Sequence, residues 1–135
     1  MNPTLTAFAG FVVWSLFLLV LMEGIRSKLV LSRAIAPNAF VPDNSNLSPF
    51  MQRLARAHAN CIEGIPVFGG LMLVAFLAGK SFITDPLAYT LLYTRILQSV
   101  IHLSSLSAPA VTLRFTAFAV QLGISVYWAF CLLLG

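Results

Sequence analysis

Charge is missing from most of this chain, and the gaps have the length of membrane crossings. No Asp, Glu, Lys or Arg lies between Met1 and Met22, between Gly64 and Gly79, between Ile96 and Leu113, or after Arg114. A helix needs roughly 20 apolar residues to span a bilayer. Extended by their flanks, the uncharged runs predict four helices at about 4–31, 49–79, 86–105 and 109–134, forming one all-α integral membrane four-helix bundle. Composition agrees. Charged residues make up 9% of the chain, against about 25% in a soluble domain, and mean hydropathy is +0.92.

The helix boundaries are written in local chemistry. Helix one has a core that is apolar all round, Phe11 to Met22, and an end bearing Glu23, Arg26 and Lys28. Glu23 and Arg26 are spaced to pair along one face, and Lys28 is spaced to snorkel. The stretch 34–48, rich in Pro, Asn and Ser, is the one extended loop. Ser48-Pro49 then supplies a cap and a proline at the first helical position. Pro66 falls inside helix two and predicts a kink there. Thr84 or Asp85 before Pro86 predicts the start of helix three, and Ser107 before Ala108-Pro109 the start of helix four. The opening Met-Asn-Pro-Thr has no basic region and no small-residue cleavage signal, so the first segment reads as a retained membrane helix.

Polar residues interrupt three of the helices in stripes. At about 100° per residue, Arg53, Arg56, Asn60 and Glu63 fall within roughly 80° of one another, with His58 off that face. Arg95, Gln98 and His102 share about 60° of helix three. Arg114, followed by Phe118, Gln121 and Ser125, marks a face of helix four. Intramembrane charge needs a partner. Two partners are open: a structural pair of Glu63 with Arg95, or a small polyanionic ligand carrying one ammonium group, held by the arginines and by Glu63.

Several function classes drop out. The net charge of +4 comes from bases near helix ends, not from a patch interleaved with aromatics, so nucleic acid is not a partner. Cys61 and Cys131 lie in predicted spans without metal-ligand spacing and indicate neither a disulfide framework nor a metal site. No Ser-His-Asp set and no glycine-rich phosphate loop is readable. The basic residues Arg26, Lys28, Arg33, Arg53, Arg56 and Arg114 gather at one side of the bundle. By the positive-inside rule that side is cytoplasmic and both termini lie outside.

The run Arg56-Ala-His-Ala-Asn60-Cys-Ile-Glu63-x-x-Pro66 resembles the hallmark of the MAPEG family, the membrane-associated proteins in eicosanoid and glutathione metabolism. Arg95-x-x-Gln98-x-x-x-His102, Ala108-Pro109 and Arg114-Phe115 extend the resemblance over the chain, which looks like a bacterial-type member. The resemblance implies a homotrimer in a bacterial inner membrane that binds glutathione between subunits from the cytoplasmic side. It implies that Arg53 or Arg56 holds a glutathione carboxylate, that Asn60 bonds its backbone and that Glu63 meets its amino group. Gln98 and His102 would line the site from helix three, where active members usually carry tyrosines. Arg26 or Arg33 would complete it from helix one, and Arg114 would stabilise the thiolate. The implied activity is glutathione transfer or peroxidase chemistry on a lipophilic small molecule arriving from the bilayer. Two rivals from other classes stand beside it: a small four-helix transporter, and a catalytically inactive membrane interaction protein.

Overall fold

The computed structural model describes residues 1–135, and every regular element is helical. Four helices follow one another: α1 (Pro3–Leu31), α2 (Pro49–Leu77), α3 (Ser81–Ser104) and α4 (Ala108–Leu134). Three of them, α1, α2 and α4, are long and apolar enough to cross a membrane. With 24 residues, α3 is about 36 Å long, but it is more polar. Its polar side chains Arg95, Gln98, Ser99 and His102 are all buried, because α3 packs against each of the other three helices.

Packing reverses the usual soluble arrangement. Only 31 of 135 residues are buried, so the bundle has a thin core, threaded by Phe11, Leu18, Leu54, Met72, Leu91 and Trp128. Large apolar side chains such as Val13, Phe17, Val20, Tyr93 and Phe130 point outward. In water that surface would drive aggregation; against acyl chains it is the expected exterior.

Local signals account for most helix ends. Ser48 accepts from the Met51 N–H and Ser107 from the Ala110 N–H, each followed by a proline in the first turn. Helix α3 departs from expectation. It begins at Ser81, more than a turn before Pro86, and Lys80 precedes it without a side-chain cap. Asp85 is recruited elsewhere: it accepts from the backbone N–H (3.2 Å) and the hydroxyl of Thr4, at the start of α1. Asn2 donates to Asp85 and to Ser81, and the Thr4 and Thr84 hydroxyls meet at 2.6 Å. Non-local pairing has therefore overridden a cap motif that looked local.

Pro66 does more than kink its helix. Ile65–Gly69 forms a π-helical turn between α-helical Pro49–Gly64 and Gly70–Leu77. Proline lacks the N–H and its ring crowds the carbonyl four residues back; widening the turn relieves that clash while the helix continues. The loop between α1 and α2 is pinned, not loose. Asn44, wholly buried with φ +56°, donates to the Met51 carbonyl at 2.8 Å and accepts from Arg26 Nε at 3.1 Å.

Candidate functional site

The π turn, the middle of α3 and the middle of α4 enclose a cavity of about 360 Å³. Its polar lining is Asn60, Glu63, Arg95 and Gln98. Its apolar lining is Val67 and Phe68 from the π turn, Phe118 and Leu122 from α4, and the bare backbone at Gly64. The stripes of α2 and α3 thus converge on one space, as their spacing predicts.

Arg95 dominates that space. It is 1% exposed, yet its guanidinium makes no ion pair and no hydrogen bond to a carboxylate, and Nε has no partner in the chain. It sits among three aromatic rings, 5.4 Å from the centroids of Phe11 and Phe68 and 5.9 Å from Phe118. The structural pair of Glu63 with Arg95 is not formed. Glu63 is exposed at the rim of the cavity, while Arg95 is turned under Gly64, where a Cβ would lie 3.1 Å from its Nη2. Cation–π contacts contribute about 0.5–2 kcal/mol each. Burying an unpaired charge costs several kcal/mol even after relaxation. The rings offset part of that cost.

Gln98 is held from the side. Gln121 Nε2 donates to Gln98 Oε1 at 2.9 Å and to the Ala117 carbonyl at 3.2 Å. The Gln98 amide nitrogen is thereby left to donate elsewhere. Gln121 is fully buried, and its own Oε1 has no partner.

A second cationic group adjoins the helix ends. His102 is buried, and Arg114, Arg56 and Arg53 all lie near enough to act on it electrostatically. Arg53 donates from Nε to the Leu103 carbonyl at 2.9 Å, tying α2 to the end of α3. Arg56 is exposed and makes no side-chain bond. Arg114 is half-buried, with an unpartnered Nε. Three arginines therefore lie around His102, and none of them pairs with an acid.

A sequence profile of the MAPEG family matches residues 4–134. The chain belongs to the MAPEG family. No curated protein and no solved structure matches it. As a MAPEG protein it is membrane-embedded, and its apolar exterior is a lipid-facing surface.

Within this MAPEG chain the predicted site residues divide into three groups. Asn60, Glu63 and Gln98 line the cavity. Arg53, Arg56 and Arg114 form the cationic group around His102 beside it. Arg26 is engaged with the first loop: its guanidinium binds Asn44 and the Val41 carbonyl, pairs with Glu23 at 3.0 Å and stacks over Phe40. Arg33 is exposed in a left-handed turn (φ +61°) just beyond α1. His58, off the stripe, is half-buried at the α1–α2 interface with Glu23 nearby. Sequence reasoning read Arg95 as a partner for Glu63 or as part of a cationic ligand pocket, and missed the Phe11–Phe68–Phe118 cage. Those phenylalanines come from three helices and are three among eleven in the chain; only their convergence distinguishes them.

Proposed function

We propose that this MAPEG protein binds glutathione and uses its thiol on lipophilic electrophiles or peroxides drawn from the bilayer, as a transferase or peroxidase. One observation carries the reading: an uncompensated cationic group, Arg53, Arg56 and Arg114, adjoins a cavity edged by Asn60, Glu63 and Gln98. Glutathione offers two carboxylates, one ammonium, peptide groups and a thiol. The residue set matches that inventory in type and number. Arg53 and Arg56 suit the carboxylates, Glu63 the ammonium, Asn60 and Gln98 the peptide groups, with His102 behind them.

Arg114 is the residue for the thiol. A thiol with pKa near 8.5 reacts as the thiolate, and an adjacent guanidinium in a low-dielectric setting favours that anion. Arg114 has no acidic partner to neutralise it. The residue types on α3 are amide and imidazole, Gln98 and His102, so the thiol's activation falls to Arg114 alone. The electrophile would approach across the lipid-facing rim of Val67 and Leu122.

A single copy leaves Arg56 and Glu63 exposed on helices whose surroundings are lipid. Exposed intramembrane charge is unfavourable, and a neighbouring copy covering this face relieves it. We therefore propose a homotrimer with the site at the subunit boundary. We further propose a bacterial inner membrane as its location; the excess of bases at that end supports a site facing the cytoplasm, with the termini outside.

Equilibrium dialysis of purified protein against labelled glutathione tests the reading. Saturable binding is expected, reduced at least about tenfold in Asn60→Ala through loss of a buried hydrogen bond. Arg114→Leu should retain binding but lose the ultraviolet absorbance of the bound thiolate. No saturable binding at millimolar glutathione would overturn the assignment.

A further inference from the structure

We propose that Gln121, which does not itself line the cavity, is a positioning residue that sets the polarity of the site: it holds Gln98 as a hydrogen-bond donor, so that the α3 wall receives only acceptor groups of the ligand. Resting on the glutathione reading, this assigns which edge of glutathione meets α3.

The polarity originates at a backbone carbonyl. The Ala117 oxygen can only accept, and Gln121 Nε2 donates to it at 3.2 Å. The two ends of an amide are told apart by their partners, so this bond fixes which way Gln121 lies. The same nitrogen donates to Gln98 Oε1 at 2.9 Å. Gln98 thus turns its oxygen toward α4 and keeps its NH2 group for the cavity that it lines. Turning both amides over would preserve their mutual bond but set Gln121 Oε1 against the Ala117 carbonyl. Gln121 Oε1 is buried without a partner as it stands, and no donor in the chain draws it into the reverse arrangement. Gln121 is 0% exposed and Gln98 8%, so bulk water does not compete for either bond.

The neighbouring side chains extend this polarity into a directional site. Arg95, also on α3, has donors only, and its Nε has no partner. Glu63, facing the cavity from α2, is an acceptor when ionised. Asn60 carries both kinds of group and does not discriminate. The cavity therefore has a donor wall on α3 and an acceptor rim on α2. Glutathione fits it in one sense, with a peptide carbonyl toward Gln98 and its ammonium toward Glu63. A ligand presenting an N–H to Gln98 would set donor against donor.

The experiment uses the full chain in nanodiscs and has one arm without ligand. Hydrogen exchange of the side-chain amides, followed by nitrogen-15 NMR, should be slow for Gln121 and fast for Gln98. Gln121→Glu should reverse Gln98. A neutral carboxyl there gives its single O–H to the Ala117 carbonyl, and a charged one has none, so an oxygen faces Gln98 in both cases. The Gln98 NH2 group should then become protected. In the second arm, glutathione should bind Gln121→Glu at least about tenfold more weakly, because the oxygen of Gln98 now meets the ligand carbonyl. Gln121→Met removes the bond without reversing Gln98 and should weaken binding by no more than about threefold. In a Gln98→Leu background, Gln121→Glu should have no further effect on Kd. Gln98→Glu removes the donor directly, should match the loss in Gln121→Glu, and serves if that variant does not fold. Fast exchange at Gln121 with protection at Gln98 in the wild type would overturn the proposal. So would equal weakening by Gln121→Glu and Gln121→Met, which would make Gln121 a structural tie between α3 and α4. A wild type with the expected exchange pattern that binds no glutathione would uphold the polarity and overturn the glutathione reading alone.

Discussion

Arg95 and Gly64 show how one small residue sets the chemistry of a large one. The guanidinium occupies the volume that a side chain at position 64 would need, and Phe68 closes over both. The two effects of adding a methyl group oppose each other. Alanine is favoured over glycine in a helix by about 1 kcal/mol, while overpacking a filled site costs about 1–3 kcal/mol. Gly70, with open space around it, isolates the first effect. Gly70→Ala should therefore stabilise the protein by about 1 kcal/mol, and Gly64→Ala should be neutral to destabilising by about 2 kcal/mol. Denaturant unfolding of both variants in the same detergent measures the difference. Equal stabilisation would mean that Gly64 is not packed against Arg95 as described.

At the scale of elements, the instructive contrast lies between helix starts that were legible and one that was not. Ser48-Pro49 and Ser107 before Pro109 announced α2 and α4 because a cap and its proline act within one turn. The same pattern at Thr84-Asp85-Pro86 pointed to the wrong residue for α3. Asp85 serves the amino end of α1, a partner 81 positions away, and no local rule reports a bond of that separation. The stripes were legible for a related reason. Arg53 to Glu63 and Arg95 to His102 repeat on their own helices, so helical spacing alone predicts a shared face. The phenylalanine cage depends on three helices meeting, and Arg95 therefore read as a partner for Glu63. Likewise, Pro66 announced a disturbance but not its form, because whether the backbone bends or widens depends on what packs against it. If Asp85 closes the start of α1 as described, Asp85→Ala should cost about 1–2 kcal/mol. Amide exchange should rise first at Thr4, whose N–H then keeps only its bond to Asn2 Oδ1. Unchanged protection at Thr4 would contradict the bond.

The whole molecule is a thin bundle with an apolar exterior, a cavity at mid-height and a cationic group at one end. Much of its buried core, Leu18, Leu54 and Trp128 among it, is apolar and distinct from the charged residues of the site. That separates a ligand site from a structural network. A structural ion pair broken by removing one partner costs about 3–5 kcal/mol. A residue reserved for a ligand costs nothing until the ligand is present, when binding adds about 2.7 kcal/mol at a hundredfold excess over Kd. The most direct measurement is the unfolding midpoint of wild type and Glu63→Gln, each with and without millimolar glutathione. The account predicts equal midpoints without ligand, a clear rise for wild type with glutathione, and no rise for Glu63→Gln. A Glu63→Gln protein that is strongly destabilised before any ligand is added, or a wild type that glutathione does not stabilise, would contradict it.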